Sequence, residues 1–217
     1  MKALSQRAQE MGLPMTIEMA KKARELSATG KQVISLSLGE PDFDTPDFIK
    51  DSANEAMAQN YTHYMPVPGF ADLRESIAAK FKRDNNLEYS ADQIVVSTGA
   101  KQSLLNVFLT LVNPGDEVII PAPYWVSYMD QAKYCGGEVK VLPTSKESGF
   151  KITAEQLELA ITEKSKVLIF SSPNNPCGAI YSGEELAAIA KVVAKHPNLY
   201  TDYFSQPAHQ ADGGPAS

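Results

Sequence analysis

The chain has 217 residues, with 20 Lys and Arg against 26 Asp and Glu, a formal net charge of −6 and 43% hydrophobic residues. Gly 13 and Pro 14 are near their average shares, so collagen-like, low-complexity and mainly disordered classes are excluded in favour of a globular domain. No Lys/Arg block offers a footprint for nucleic acid or an anionic membrane, which makes small-molecule chemistry the starting expectation.

No run approaches the ~18 apolar residues of a membrane span, and Met1-Lys2-Ala3-Leu4-Ser5-Gln6-Arg7 builds no signal-peptide apolar region. A cytoplasmic protein is expected. Cys135 and Cys177 lie far apart, among three histidines without paired-ligand spacing. That indicates neither a disulfide framework nor a metal site, and both thiols read as packing residues.

In chain order, Met15, Met19, Ala23 and Leu26 share one helical face ahead of Gly30. Val33-Ile34-Ser35-Leu36-Ser37-Leu38 reads as a strand, broken by the segment 39–46. Helical patterns over 48–59 and 71–83 flank a loop at 61–69 that carries two prolines. Strand and helix then alternate. Ile94-Val95-Val96, Glu117-Val118-Ile119-Ile120, Glu138-Val139-Lys140-Val141-Leu142 and Val167-Leu168-Ile169-Phe170 read as strands, with helices over 101–112 and 125–134 between them. Thr153-x-x-Gln156 caps a helix to 162, and Ser182-x-x-Glu185 opens another to 195.

Asn198-Leu199-Tyr200 begins one more strand, so the chain stops while the alternation is still running. The segment 205–217 has no aliphatic residue larger than Ala and no periodicity, and reads as disordered. The alternation predicts an α/β fold: a right-handed, mostly parallel sheet with helices on both faces, ligands lying outside the C-terminal strand ends.

Three loops could carry chemistry. The turn Ser97-Thr98-Gly99-Ala100-Lys101-Gln102 precedes a helix start, where N–H groups and the helix dipole favour an anion. It is either a phosphate cradle or a plain turn in which Gly99 supplies an unusual backbone angle, and by itself the plain turn is favoured. Pro121-Ala122-Pro123-Tyr124-Trp125-Val126-Ser127-Tyr128 holds the only tryptophan, which either stacks on a flat ligand or anchors the helix to the sheet. Ser171-Ser172-Pro173-Asn174-Asn175-Pro176-Cys177-Gly178 offers a carboxamide at a strand end, or is only an Asn-Pro turn. Together the loops ask for a planar, phosphorylated ligand.

The blocks Ser37-Leu38-Gly39-Glu40-Pro41-Asp42-Phe43, Gly99-Ala100-Lys101-Gln102, Pro123-Tyr124-Trp125-Val126-Ser127-Tyr128 and Ser172-Pro173-Asn174-Asn175-Pro176 stand in an order that resembles the fold-type-I, class I aminotransferases, nearest their bacterial aspartate-using branch. The resemblance runs from about Met1 to Tyr200. It implies pyridoxal 5′-phosphate as cofactor, an amino acid and a 2-oxo acid as substrates (aspartate with 2-oxoglutarate) and a homodimer, without nucleic acid or membrane.

By the same resemblance, Gly99, Ala100 and Lys101 bind the cofactor phosphate, Trp125 stacks on its ring, and Asn175 bonds the ring's phenolic oxygen. Gly39, Trp125 and Asn175 face the substrate, while Tyr64 reaches the phosphate of a partner subunit. Cys177 stands where the family usually has Thr. Residues 1–44 correspond to a segment of an incomplete small domain, 45–204 to an incomplete cofactor-binding large domain, and 205–217 to a non-matching tail.

The pattern departs from the family after Tyr200. The internal aldimine lysine and the arginine for the substrate α-carboxylate have no counterpart, since the last lysine is Lys195 and the last arginine Arg83. No catalytic residue is therefore assigned. Leu199-Tyr200-Thr201-Asp202-Tyr203-Phe204 replaces the Asp-Glu-x-Tyr block, with Asp202 two residues early, leaving its carboxylate ~6.6 Å short along a strand. These features predict a large domain truncated at its C-terminus and inactive alone. The alternative is a non-catalytic fragment that binds the cofactor weakly or pairs with a full-length subunit. A dinucleotide-binding protein is disfavoured because no G-x-G-x-x-G follows a predicted strand.

Overall fold

The computed structural model describes residues 4–5, 8–9, 15–35, 39, 41 and 43–205. They fall in two compact units, one within Gly12–Gly99 and the other formed by residues 4–5, 8–9 and those from Ala100 onward.

The first unit holds helices α1 (Met15–Ala28), α2 (Asp47–Ala58) and α3 (Ala71–Asn85), with a 3-10 turn at Ala91–Gln93. In α1 the expected apolar stripe is not the buried one: Ala20 is buried, whereas Met19 and Leu26 are exposed. Helix α2 buries no residue. Arg74 on α3 ties the unit together, donating from Nε to the Gly69 carbonyl at 3.2 Å and from Nη1 to the Ala91 carbonyl at 2.7 Å.

One expected strand of this unit, Ile94-Val95-Val96, lies outside regular structure; of the other, 33–35 is irregular and 36–38 fall outside the described residues. The physical reason at Val96 is local: its N–H donates to the Pro68 carbonyl at 3.0 Å, a loop contact in place of a ladder. Gly69 is shaped to this contact. Its φ is +99°, and a Cβ there would meet Val96 Cγ2 at 2.9 Å, so only glycine fits.

The second unit is the predicted α/β layer. Its elements are α4 (Ala100–Leu111), β1 (Glu117–Pro121), α5 (Ser127–Tyr134), β2 (Glu138–Leu142), α6 (Ala154–Ala160), β3 (Ser165–Ser172), α7 (Gly183–Val193) and β4 (Tyr200–Ser205). The strands lie in the order β2-β1-β3-β4, and every pairing is parallel.

Strands β1 and β3 read as nearly unbroken apolar runs because both their faces are covered. On one face Val118, Ile120, Val167 and Ile169 pack with Leu104 and Phe108 of α4 and Tyr128 and Ala132 of α5. On the other, Ile119, Leu168 and Phe170 pack with Leu157 of α6 and Ile189 and Val192 of α7. Leu104 and Phe108 are wholly buried, each contributing about 1.5–3 kcal/mol of apolar burial.

Both expected capping boxes form. Thr153 Oγ1 accepts from the Gln156 N–H at 3.2 Å while Gln156 Oε1 accepts from the Thr153 N–H at 3.0 Å. Ser182 and Glu185 make the same exchange at 3.2 and 2.7 Å. Each cap is worth about 1 kcal/mol. The strand begun at Tyr200 runs to Ser205, so the expected tail is ordered at its first residue, and residues 206–217 lie outside the described ones. Among the described residues no helix is long and apolar enough to cross a membrane.

Candidate ring-binding site at the sheet edge

Adjacent parallel strands β1 and β3 deliver two loops to the same C-terminal edge of the sheet, Ala122–Val126 after β1 and Pro173–Gly178 after β3. A hydrogen bond joins them, Asn174 Nδ2 donating to the Pro123 carbonyl at 3.1 Å, and the second loop is tied back to its own strand where the Asn175 N–H donates to Ser171 Oγ at 3.3 Å. The Ala122-Pro123, Ser172-Pro173 and Asn175-Pro176 peptides are cis.

Trp125 is half-buried and meets the ring of Tyr128 edge-on, centroids 5.6 Å apart. Tyr128, on the first turn of α5, is buried and hydrogen-bonded to Ser171. Burial pushes its phenol above the ordinary tyrosine range, the Ser171 bond opposes this, and the charge of Asp202 adds to it.

The first turn of α4 approaches the same place. Lys101 Nζ stands 5.0 Å from the centroid of the Trp125 ring, and the Lys101 carbonyl accepts from Gln131 Nε2 at 2.9 Å. The N–H groups of Ala100 and Lys101 open the helix, where no carbonyl four residues earlier serves them. Gly99 turns the chain into the helix at φ +81°.

Of the expected site residues, Ala100, Lys101, Trp125 and Asn175 thus belong to the α/β unit, with Lys101 and the Asn174 loop both reaching the Trp125 loop. Asn175 is exposed, and its carboxamide makes no hydrogen bond among the described residues. The expected sheet strand before the Gly99 turn is absent, because 94–97 is irregular. Gly39 and Tyr64 lie in the other unit, both exposed; Ser37, Leu38, Glu40 and Asp42 fall outside the described residues.

Sequence reading missed Asn174 as the tie between loops and the Tyr128–Ser171 pair beneath them. For the pair a signal was present, since Ser171 and Ser172 are consecutive polar residues at a buried strand end and need partners. Asp202 pairs in register with Ile169, so it shares that residue's face of the sheet and sits three ladder positions before the last pair, Ser172 with Ser205. Its Oδ2 is buried without a hydrogen-bond partner among the described residues, and burial raises its carboxyl above the usual range.

A ring platform, an open carboxamide and a helix N-terminus at the C-terminal edge of a parallel sheet are a candidate site whose chemistry suits a planar anionic ligand. The comparisons narrow the class. The family model for aminotransferase class I and II matches residues 31–203, and the chain belongs to that family. It is 50% identical over 185 residues to the aspartate/prephenate aminotransferase of Cereibacter sphaeroides, covering 85% of this chain and 46% of that protein. It is 47% identical over 196 residues to the aspartate aminotransferase of Bacillus subtilis, covering 90% and 50%. The aspartate aminotransferase of Thermus thermophilus with maleate superposes at a TM-score of 0.88, with 42% identity, over 94% of this chain and 53% of that one. The chain spans about half the length of the curated relatives it matches.

Proposed function

We propose that the chain carries the cofactor-binding part of a pyridoxal 5′-phosphate-dependent aminotransferase acting on aspartate with 2-oxoglutarate. The observation that carries this reading is the meeting of Lys101 and the Asn174 loop at Trp125, on the C-terminal edge of β1 and β3. The donor set fits the group. The N–H groups of Ala100 and Lys101, with Gly99 turning the chain into them, suit a phosphate; the Trp125 face suits a pyridine ring; the unengaged Asn175 carboxamide suits its phenolic oxygen. When bound, the cofactor supplies an electron sink for chemistry at the amino acid α-carbon.

In this reading Trp125 orients the ring and screens it from water, and Asn175 holds the oxygen beside the reacting carbon. Gly39 is carried over as facing the substrate by the family resemblance alone. Tyr64 is fully exposed, which leaves it free for the role the family resemblance gives it, reaching the phosphate of a second copy in a cytoplasmic homodimer. Residues 1–44 belong to the small domain, 45–204 to the large domain, and 205–217 to a tail outside the family pattern. Maleate in the Thermus relative is a four-carbon dicarboxylate like aspartate, which supports a dicarboxylic amino donor.

These 217 residues contain no lysine after Lys195 and no arginine after Arg83. Taken by themselves they bind the cofactor without turnover. The test is titration of the chain with pyridoxal 5′-phosphate, followed by Trp125 emission, with aspartate and 2-oxoglutarate turnover assayed in the same preparation. Saturable quenching without turnover supports both statements. Absence of binding overturns the cofactor reading, and turnover overturns the inactivity.

A further inference from the structure

Asn174 has every polar group engaged, which sets it apart from its neighbour Asn175. Its N–H donates to the Ala179 carbonyl and its carbonyl accepts from the Gly178 N–H, both at 2.8 Å, closing the Asn-Pro loop on itself. Its Oδ1 accepts from Cys177 Sγ at 3.1 Å and from the Cys177 N–H at 3.4 Å. Those bonds fix which way the carboxamide points, and its Nδ2 is thereby aimed at the Pro123 carbonyl, two residues before Trp125, at 3.1 Å.

Across that bond stand the two groups assigned to hold the ring. The Trp125 loop has its own anchors to the sheet, the Ala122 N–H donating to the Leu142 carbonyl at 2.9 Å and Thr144 Oγ1 donating to the Ala122 carbonyl. Both lie upstream of Pro123. The Tyr128 N–H holds the downstream end by donating to the Trp125 carbonyl at 3.0 Å. The Asn174 carboxamide is the bond that fixes the Pro123 carbonyl to the neighbouring loop.

We infer that Asn174 is a positioning residue, whose carboxamide, oriented by Cys177, sets the Trp125 loop relative to Asn175. The inference rests on the reading of Trp125 and Asn175 as the ring-holding pair. Replacing Asn174 by Asp keeps the size, removes the Nδ2 donor and turns an oxygen toward the Pro123 carbonyl. Replacing Cys177 by Ala removes one of the bonds that orient the carboxamide, whereas Thr restores a donor to the same Oδ1.

The parent chain, Asn174→Asp, Cys177→Ala and Cys177→Thr are compared without ligand, by emission and acrylamide quenching of the single tryptophan, with melting measured in parallel. Asn174→Asp is expected to raise the quenching of Trp125 while the fold still melts cooperatively, Cys177→Ala to do so less, and Cys177→Thr to match the parent. An unchanged Trp125 signal in folded Asn174→Asp, or equal signals from the two Cys177 variants, overturns the inference. If Asn174→Asp does not fold, the Cys177 pair decides it alone. Titration with pyridoxal 5′-phosphate then separates this inference from the cofactor reading. An affinity about tenfold weaker in Asn174→Asp supports both, at the scale of one lost hydrogen bond. A parent chain without affinity overturns the cofactor reading, and the ligand-free Trp125 signals still decide the role of Asn174.

Discussion

Lys101 lies with its ammonium 5.0 Å from the centroid of the Trp125 ring, while its carbonyl is held by Gln131 Nε2 at 2.9 Å. The helix start and the ring platform are therefore fixed to each other through one residue, by its side chain and by its backbone. The cation adds to the field of the helix N-terminus at the place where a phosphate would enter.

Lys101→Gln removes the charge and leaves the backbone bond. The affinity for pyridoxal 5′-phosphate is expected to fall about 3- to 10-fold at low salt, with a smaller loss at high salt where screening already weakens the attraction. Stability changes by less than about 1 kcal/mol, because Lys101 is exposed. Isothermal titration of Lys101→Gln and Lys101→Arg at two salt concentrations checks this, Arg retaining most of the affinity.

The turn before that helix makes a different demand on its residue. Gly99 holds φ +81°, yet nothing lies within 4 Å of where its Cβ would be, so substitution meets backbone strain and no clash. Gly99→Ala is expected to cost about 1–2 kcal/mol, Gly99→Asn less and Gly99→Val more. At Gly69 the same φ penalty is joined by the contact with Val96, so Gly69→Ala costs more than Gly99→Ala. Urea denaturation midpoints of the four variants give the order.

The contrast between the two glycines bears on what the sequence made legible. The α/β layer was readable because β1 and β3 are apolar on both faces and because Thr153-x-x-Gln156 and Ser182-x-x-Glu185 announce helix starts with side chains that act locally. Ile94-Val95-Val96 has the same apolar look and forms no strand, since strand identity needs a partner edge and the Val96 N–H finds the Pro68 carbonyl instead. In the candidate site, Trp125 and Asn175 were legible as residue types with evident chemistry. Asn174 was not, because its role lies in a bond to a residue 51 positions away, a distance that no local pattern encodes.

A prediction of the same kind concerns Tyr181, in the core on the α6 and α7 side of the sheet. Its hydroxyl oxygen accepts from the buried Ile152 N–H at 3.0 Å, and its ring packs edge-on against Phe170, centroids 5.4 Å apart. Tyr181→Phe keeps the ring and strands the N–H. A loss of about 1–3 kcal/mol is expected, the cost of a buried donor left without a partner. Equilibrium unfolding measures it, and an N–H that exchanges faster at Ile152 alone locates it.

Asp202 gives the pH dependence. Burial raises its carboxyl above 3.8, its value in the unfolded chain, and its Oδ2 has no hydrogen-bond partner among the described residues. The folded state therefore binds the proton more tightly than the unfolded state does. In the window between the two values the folded chain holds more protons, so stability falls as pH rises through it and stays lower above it. Asp202→Asn removes the charge at nearly constant volume. The variant is expected to be more stable than the parent at neutral pH, by about 1 kcal/mol, and the gap should close as pH falls toward 3.8 and both chains carry a neutral group there. Urea unfolding of both proteins across that range tests the sign. A gap that widens on acidification would mean that the carboxylate is held by a favourable partner, and the assignment of Asp202 as an unpaired buried acid would be wrong.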